Sequence, residues 1–593
     1  MKGLLRAPLI LGIALSLNAC SFSRPAVRLA PVLAGHALPP GQAYGESGRF
    51  GGSATWGNLD DPKTFNPSVI SESSSIAVAW HLFDPLCEEV GDTMEIRPAL
   101  AEKWKISRDG RRYLFTLRRG LQWSDGQPLT SDDLMFTFRE VMFNPEVPAA
   151  SDNLKISQAG KAVFPKIRQV DALTIEFTLP KPYAPFLRAL ASVFIVPRHA
   201  LGKFKKNYAQ AWGIDTPLEQ IVGSGAFVLQ EFAPAQRVVF RRNPYYWRFD
   251  QKNRRLPYLE HLVYSFSKDI SGLTVKFLSK EIDAVGARGR QYELLKPLEK
   301  AQNFHILNAG PDIETPFVMF NLNRCRDKKG KFFVDPIKQE WFNEVLFRRA
   351  FAHVIDKATI VSNAYNFIAL PQAGEFGSRH PFHDPSLKGY SYDLDLAGKL
   401  LKQAGFSKGR DGRLFDKKGH PVAFDLTTFT GNPLAVQIPT LIKTDLAKLG
   451  ITLNVRPVQF NTCVEKIDSS YEWDTMFLNW TAGVEPNTSA ALWKTNGGSH
   501  FFRPKGAIAP WEAAIDDLME QGAITVDPGK RKEIYGKVQR IVLEQVPMIF
   551  LVAPLYLVAV RSDLRNVRPG AFNSSVPSCW NSYEIFRDRG GKK

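Results

Sequence analysis

The sequence predicts a mixed α/β protein with at least two lobes. Short strand patterns alternate with helical patterns along the chain, and no internal repeat is found, which is typical of a mixed α/β fold rather than a solenoid. The chain has 593 residues, 44% of them apolar, and this length exceeds what one hydrophobic core usually organises. No segment of the body approaches the roughly 18 apolar residues of a membrane span.

The first 19 residues have the pattern of a secretory signal peptide. Lys2 and Arg6 supply positive charge, and residues 9 to 17 form an apolar stretch that is too short to cross a bilayer. The letters LNAC at 17 to 20 resemble a bacterial lipobox, although Asn18 replaces the small apolar residue that is usual there. We expect cleavage before Cys20 and lipid attachment to its sulfur; ordinary signal cleavage and a retained anchor are the alternatives.

Residues 20 to 48 are predicted to form a flexible linker behind that anchor. Pro, Gly and Ala dominate this stretch, and it has no periodicity. A random coil of this length reaches roughly 30 Å. We therefore expect the linker to hold a folded body away from a membrane surface.

Several local signals agree between residues 99 and 141. Residues 112 to 117 alternate as a half-buried strand, and Asp-Gly pairs on either side mark turns. Thr130 is predicted to cap a helix whose first turn carries Asp132 and Asp133, which complement the helix dipole. That helix is expected to bury Leu134, Phe136, Phe138 and Val141.

The alternation of strands and helices continues to the end of the chain. Residues 228 to 232 and 237 to 241 are predicted to form a strand pair that opens after a glycine-rich turn. Five helical patterns follow, at 343–363, 394–404, 437–449, 511–521 and 530–544.

Four cysteines lie in the predicted body. In an oxidising compartment they could form two disulfides with three possible connectivities, and four buried free thiols are the alternative. No CxxC pair occurs, which argues against a zinc or thioredoxin-like site, and we expect no metal and no cofactor. The four are Cys87, Cys325, Cys463 and Cys579.

The net charge of +17 comes from 76 basic and 59 acidic residues. The bases are spread along the chain, and no zinc-finger spacing, basic zipper or RNA-reading motif occurs, so nucleic acid is not a predicted partner. A basic surface of this kind fits a location beside anionic lipid headgroups.

Catalytic motifs are absent or broken. Ser265–Lys268, Ser151–Asn153 and Lys494–Gly497 imitate the three elements of a penicillin-recognising serine enzyme, but their order is inverted and the third is interrupted. His380 and His383 form an HxxH pair without HExxH and without a carboxylate at ligand spacing. We therefore expect a protein that is not an enzyme; a hydrolase is the distant alternative.

Five sequence blocks stand in a fixed order along the chain. Together they resemble the family 5 extracellular solute-binding proteins, the oligopeptide, dipeptide and nickel binders of ABC transporters. The resemblance covers roughly residues 50 to 588; Ser224 and Ala226 stand where the family prefers Thr and Pro, and residues 325 to 340 are an insertion. The blocks are PALAEKW (98–104), LFTLRRG with WSDGQPLTSDD (114–133), VGSGAF with RNPYYW (222–247), FNLN with FRRAFAHVIDK (320–357), and AGKLLKQAG with LGI and WD (397–474).

This resemblance implies a periplasmic binding protein-like fold of class II, cluster C type, with two hinged lobes, a ligand cleft and an extra subdomain inserted in the first lobe. It places lobe I at 49–68, 219–312 and 556–588, the inserted subdomain at 69–218, and lobe II at 313–555. The implied function is that of the extracytoplasmic substrate-binding component of an ABC importer, which captures peptide-like solutes by hinge closure and delivers them to a membrane permease. A monomer is expected, because hinge closure needs no second subunit.

The resemblance also implies where a ligand would bind. Family peptide binders hold the ligand's α-amino group with an acidic residue three positions after a strand-end Trp, where this chain has Gly483. Glu485 is the nearest carboxylate, so we predict it as the ammonium partner, with a solvated loop carboxylate as the alternative. The other predicted ligand-binding residues, of which both tryptophans could instead be core residues, are Trp480, Thr481, Gly483, Asn487, Trp493, Phe429, Thr430 and Asn66.

The ligand class is left open at this point, because the same fold serves several ligands. Glu485 favours a peptide, and the alternatives are a nickel complex, haem, an oligosaccharide or an opine. In each case the protein is expected on the periplasmic or extracellular face of a membrane, held there by its lipid.

Overall fold

The computed structural model describes residues 45–588 except 71, 92, 159–160, 205–206, 288, 504–507 and 571–579. These residues form two compact units, which we call the continuous unit (residues 311–555) and the discontinuous unit (residues 45–310 and 556–588). The predicted signal peptide, Cys20, most of the linker and Cys579 lie outside the described residues. Within the described part of the chain, no helix is both long enough and apolar enough to cross a membrane.

The strands, in chain order, are β1 (Ser53–Asn58), β2 (Cys87–Glu89), β3 (Ile96–Pro98), β4 (Ala101–Ile106), β5 (Arg112–Leu117), β6 (Ile156–Gln158), β7 (Lys161–Val163), β8 (Lys166–Asp171), β9 (Thr174–Thr178), β10 (Phe227–Ala233), β11 (Arg237–Arg242), β12 (His261–Phe266), β13 (Ala284–Gly286), β14 (Phe304–Pro311), β15 (Glu314–Phe320), β16 (Ala369–Pro371), β17 (Ser407–Lys408), β18 (Leu414–Phe415), β19 (Ala423–Phe429), β20 (Thr452–Val458), β21 (Thr475–Thr481), β22 (Met548–Phe550), β23 (Val552–Arg561), β24 (Leu564–Arg565) and β25 (Phe586–Arg587).

The α-helices, in chain order, are α1 (Ser73–Leu82), α2 (Ser131–Met135), α3 (Phe186–Leu190), α4 (Arg198–Leu201), α5 (Ile270–Leu278), α6 (Arg290–Leu295), α7 (Pro336–Asn343), α8 (Val345–Val354), α9 (Lys357–Asn363), α10 (Leu394–Gln403), α11 (Leu434–Lys448), α12 (Phe460–Glu465), α13 (Ala490–Trp493), α14 (Pro510–Ile524) and α15 (Pro528–Gln545).

The main sheet of the discontinuous unit has the order β10-β11-β12-β1-β13-β23-β14. Strand β1 runs parallel to β12 and β13, and β10 and β11 form the antiparallel pair that the sequence predicts. Along β12 the buried residues are Leu262, Tyr264 and Phe266, at every second position. Successive side chains of a strand point to opposite faces, so these three residues bring one face of β12 into the core.

A second sheet of this unit, in the order β4-β5-β9-β8, confirms the strand predicted at 112–117. The predicted cap of α2 is also confirmed, because Thr130 and Asp133 form a capping box. The Thr130 side chain accepts a hydrogen bond from the backbone of the first turn, and the Asp133 side chain accepts one from the Thr130 backbone amide. Beyond α2 the chain continues as a π-helical segment, Phe136–Met142, which the sequence pattern does not predict. The four apolar residues expected to be buried along this stretch are buried.

The continuous unit is built on a five-stranded mixed sheet with the order β20-β19-β21-β15-β22. Strand β19 is parallel to both β20 and β21, whereas β15 is antiparallel to β21 and β22. The carboxyl ends of β19 and β21 therefore lie at the same edge of the sheet as the first residues of β15. Two of the predicted ligand segments, 429–430 and 480–487, begin at this edge.

The helices of the continuous unit agree with the predicted patterns except at one place. Helices α10, α11, α14 and α15 cover the patterns at 394–404, 437–449, 511–521 and 530–544. The single helix predicted at 343–363 is wrong, because the chain leaves helical geometry between α8 and α9. Ile355 there has extended backbone, and the Asp356 side chain accepts a hydrogen bond from the Thr359 amide at 2.9 Å as the cap of α9.

The three described cysteines are free thiols, so no disulfide joins any two of them. Cys87 lies in β2 of the discontinuous unit, where its thiol donates to the Leu187 carbonyl at 3.5 Å. Cys325 and Cys463 belong to the continuous unit, and burial raises the pKa of Cys463 to about 11. Cys87 and Cys463 are buried in the cores of different units, and Cys325 is half-buried.

Candidate functional site

Most of the predicted site residues lie in one stretch that follows β21, which we call the 480–493 segment. The chain leaves β21 at Thr481, makes a 3-10 turn at Pro486–Ser489 and ends in the short helix α13. Thr481 is exposed, Trp480 and Asn487 are half-buried, and Trp493 is 2% exposed within the core. The core alternative therefore describes Trp493, whereas Trp480 is half-buried and packs against the same core.

Glu485 is 6% exposed, which rules out the alternative of a solvated carboxylate. Arg531 of α15 donates to both of its oxygens, from Nη1 to Oε2 at 3.2 Å and from Nη2 to Oε1 at 2.5 Å. Oε1 also accepts from the Asn487 amide at 3.1 Å and so caps the 3-10 turn. Arg531 neutralises the charge of this buried carboxylate, so the structure gives Glu485 an internal role in place of the predicted one.

Arg531 itself is held in place by a second acceptor. Its Nε donates to the Gly522 carbonyl at 2.9 Å. Burial lowers the pKa of Arg531 and the Glu485 carboxylate raises it, and the effect of the carboxylate prevails. The pair is a bidentate, charge-assisted contact, the strongest type of hydrogen-bonded ion pair.

Glu375 is a buried carboxylate at the same place that sequence reasoning missed. Its Oε1 accepts from Trp480 Nε1 at 2.8 Å and from the Ser489 hydroxyl, and its Oε2 accepts from Trp493 Nε1 at 2.6 Å. Burial raises the pKa of Glu375, and the three hydrogen bonds oppose that rise. No spacing rule links residues 375 and 480, so no sequence signal could have found this contact.

His380 makes a further contact with the 480–493 segment. Its Nδ1 accepts from the Phe382 amide at 3.1 Å, so the ring carries its proton on Nε2, which donates to the Gly483 carbonyl at 3.1 Å. The imidazole stacks on Phe376 with 4.1 Å between ring centroids. His383 bonds the Phe376 carbonyl, and the described residues contain no group of His, Cys, Asp and Glu that could hold a metal.

Gly483 has no room for a side chain. A Cβ atom at this position would lie 2.2 Å from Thr488 Oγ1 and 3.1 Å from Thr488 Cβ. Thr488 is fixed by its own hydrogen bond, from Oγ1 to the Glu485 carbonyl at 2.7 Å. The glycine that replaces the family's acidic residue is therefore a packing requirement of this segment.

The remaining predicted residues fall into two groups. Phe429 and Thr430 lie at the carboxyl end of β19: Phe429 is buried against Phe460, and Thr430 is exposed. Asn66 lies in the discontinuous unit and is 0% exposed; its Nδ2 donates to the Tyr208 carbonyl at 2.9 Å, and its Oδ1 accepts from the Ser68 amide at 3.1 Å. Because its side chain is fully used within the fold, Asn66 is not a ligand contact in this structure.

A separate cavity of about 660 Å³ lies in the continuous unit, beside the 325–340 insertion. None of the predicted site residues lines it. Its charged groups largely neutralise one another, as in Lys338 with Asp474 at 2.6 Å and Lys331 with Glu472 at 2.7 Å. Its aromatic walls come from Phe332, Phe333 and Trp473.

Comparison with known proteins gives one consistent result. The family model described as bacterial extracellular solute-binding proteins, family 5 Middle, matches residues 95–502. A probable ABC transporter-binding protein of Deinococcus radiodurans is 27% identical, with 85% of this chain and 87% of the relative covered. The dipeptide-binding protein of Escherichia coli is 24% identical, with 85% and 90% covered.

Among solved structures, the chain is similar to NikZ from Campylobacter jejuni in complex with Ni(L-His). The TM-score is 0.66 at 21% identity, with 90% of this chain and 99% of that chain covered. Likeness at this identity shows the fold alone. It confirms the predicted α/β, periplasmic binding protein-like class.

Proposed function

The chain belongs to the bacterial extracellular solute-binding proteins of family 5, and we propose from this membership that it is the extracytoplasmic substrate-binding component of an ABC importer. In this role it captures a peptide-like solute and delivers it to permease subunits in the membrane. The observation that carries the proposal is the family match over residues 95–502, together with relatives that cover most of both chains. The protein would act by binding alone, without catalysis and as a monomer.

A peptide-like ligand is the first choice within this proposal. The E. coli relative is a dipeptide-binding protein. In the continuous unit, exposed Thr430 and Thr481 and the half-buried Trp480 lie at or beside one edge of the sheet, where they offer hydroxyl groups and an aromatic surface. Glu485 does not support the ligand assignment, since Arg531 binds its carboxylate.

The predicted domain organisation is part of the proposal. Lobe II would comprise residues 313–555, lobe I residues 49–68, 219–312 and 556–588, and the inserted subdomain residues 69–218, with a hinge joining the lobes. The compact units, which divide at residues 310/311 and 555/556, support these boundaries for lobe II.

We also propose that the protein is a lipoprotein on the periplasmic or extracellular membrane face. The signal-peptide pattern of residues 1–19, the lipobox-like ending at Cys20 and the linker that follows support this location. Mass spectrometry of the membrane-extracted protein should show a diacylated N-terminal Cys20. An unmodified N-terminus created by cleavage elsewhere would contradict lipid anchoring and leave the binding function untouched.

The ligand can be tested by native mass spectrometry of the protein purified under mild conditions, followed by release of any bound species. Co-purified peptides are the expected result. A retained nickel complex, haem, oligosaccharide or opine would keep the family and overturn the ligand assignment. Turnover of an added peptide would instead revive the hydrolase alternative.

A further inference from the structure

One buried carboxylate in the continuous unit has three hydrogen-bond donors and no cation. Glu375 is 6% exposed, and it forms no salt bridge with any Lys, Arg or His of the described residues. Trp480, Ser489 and Trp493 donate to it. A buried charge with hydrogen bonds alone is costly to retain, so a polar group in this position calls for a role that an apolar side chain could not fill.

The three donors come from both ends of the 480–493 segment. Trp480 is near the end of β21, Ser489 closes the 3-10 turn, and Trp493 ends α13. Trp480 and Ser489 share Oε1, while Trp493 binds Oε2, so one carboxylate spans the whole segment. Both oxygens act as acceptors, which is the pattern that an ionised carboxylate satisfies and a neutral amide does not.

The middle of the segment is fixed by other groups. His380, five residues after Glu375, donates to the Gly483 carbonyl at 3.1 Å. Arg531 holds Glu485. Residues 375–380 therefore contact the segment near its two ends through Glu375 and at its middle through His380.

We propose that Glu375 is a positioning residue whose carboxylate sets the conformation of the 480–493 segment and the orientation of the Trp480 ring. The inference rests on the proposed function in one respect, namely that Trp480 and Thr481 contact the imported solute. Glu375 itself touches no ligand in this scheme, because its oxygens already serve three internal donors.

The test is Glu375→Gln, which keeps the size of the side chain but replaces one acceptor oxygen with an NH₂ group. In either orientation that group would face an indole N–H, so one of the two indoles loses its acceptor. We expect the indole N–H signals of Trp480 and Trp493 to shift in ¹H–¹⁵N spectra, with assignment by Trp480→Phe and Trp493→Phe. We also expect faster amide exchange across residues 481–489, and affinity for a synthetic tripeptide pool lower by about tenfold.

Two further variants keep the inference falsifiable. Glu340→Gln changes an exposed carboxylate that pairs with Lys418, and it should leave both indole signals and amide exchange unchanged. Ser489→Ala removes one donor from Oε1 and is the alternative test if Glu375→Gln fails to fold. It should shift the Trp480 indole signal more than the Trp493 indole signal.

Unchanged indole signals and unchanged amide exchange in folded Glu375→Gln would overturn the positioning role. If the indole signals of Glu375→Gln shift but its tripeptide affinity equals that of Glu340→Gln, the positioning by Glu375 has no effect on ligand binding. If the unmodified protein binds no tripeptide, the proposed function fails separately, and the spectra and exchange still decide the role of Glu375.

Discussion

At the scale of single residues, the two buried carboxylates at the 480–493 segment bind groups from distant parts of the chain. Glu485 and Arg531 are 46 residues apart, and Glu375 and Trp480 are 105 residues apart. Each pair joins the 480–493 segment to another element. The segment thus depends on tertiary contacts rather than on its own local propensity.

Replacing Arg531 with Met should destabilise the continuous unit strongly, because Glu485 would be left buried without its counter-charge. Loss of one partner of such a pair costs about 3–5 kcal/mol. The double variant Arg531→Met, Glu485→Met should be less destabilised than the single one. Urea unfolding of the three proteins measures this; a double variant less stable than Arg531→Met would contradict the argument.

Replacing Gly483 with Ala should cost roughly 1–3 kcal/mol, since the new Cβ would overlap Thr488. Adding Thr488→Ala should recover part of this loss by removing Oγ1. Gly398→Ala in α10 is the matched control, because a Cβ there meets nothing within 4 Å and alanine favours a helix. Equal unfolding midpoints for Gly483→Ala and the unmodified protein would show that the segment has room for a side chain.

Asp84 in the discontinuous unit should make stability pH-dependent. Burial raises the pKa of this carboxyl to about 7, against the opposing charge of Arg248 and a hydrogen bond from Trp247 Nε1 at 2.9 Å. Because the folded state keeps a proton that the unfolded chain loses near pH 3.8, stability should fall as pH rises from about 4 to about 7.

The variant Asp84→Asn isolates this effect, because it resembles the protonated form at every pH. Unfolding midpoints of both proteins at pH 4.5, 6 and 7.5 should diverge, the unmodified protein losing stability by up to about 1.4 kcal/mol per pH unit relative to the variant. Parallel curves would mean that Asp84 is ionised throughout.

At the scale of elements, the sequence predicts those helices and strands whose formation depends on residues close together in the chain. The strand at 112–117 and helices α10, α11, α14 and α15 follow from periodicity, and α2 from its capping residues. The helix predicted across 343–363 is two helices, since Asp356 can leave the helix and cap the next one. The sequence pattern does not predict the π-helical stretch at Phe136–Met142.

The same distinction between local and distant signals applies to the candidate site. Its location after a Trp-containing strand end was predictable, because that depends on a contiguous motif. The partners of its residues were not, since Glu375, His380 and Arg531 reach it only through the tertiary fold. Asn66 is a local prediction that fails. It is predicted as a ligand contact, but its side chain binds the Tyr208 carbonyl and the Ser68 amide within the fold.

Removing the cap of α9 tests the break between the two helices. Asp356→Ala should lower the free energy of unfolding by about 1 kcal/mol, because the Thr359 amide loses its acceptor. Asp356→Asn should retain most of the stability, since asparagine is a comparable cap. If both variants unfold at the same denaturant concentration as the unmodified protein, the side-chain cap does not stabilise α9.

At the scale of the whole molecule, the chain is a member of the bacterial extracellular solute-binding proteins of family 5 with a net charge of +17. Within the continuous unit, two parallel strands and the fixed 480–493 segment bring Thr430, Trp480 and Thr481 to one edge of the sheet. Thr430 and Thr481 are exposed and Trp480 is half-buried, whereas Glu375 and Glu485 are occupied by internal partners.

The most direct test of the central claim is a calorimetric titration of the purified protein with the tripeptide pool. We predict saturable binding, with a dissociation constant on the order of 1 µM or tighter, that weakens in Trp480→Ala. No heat of binding for any peptide, combined with saturable binding of a nickel complex, haem or an oligosaccharide, would contradict the peptide assignment.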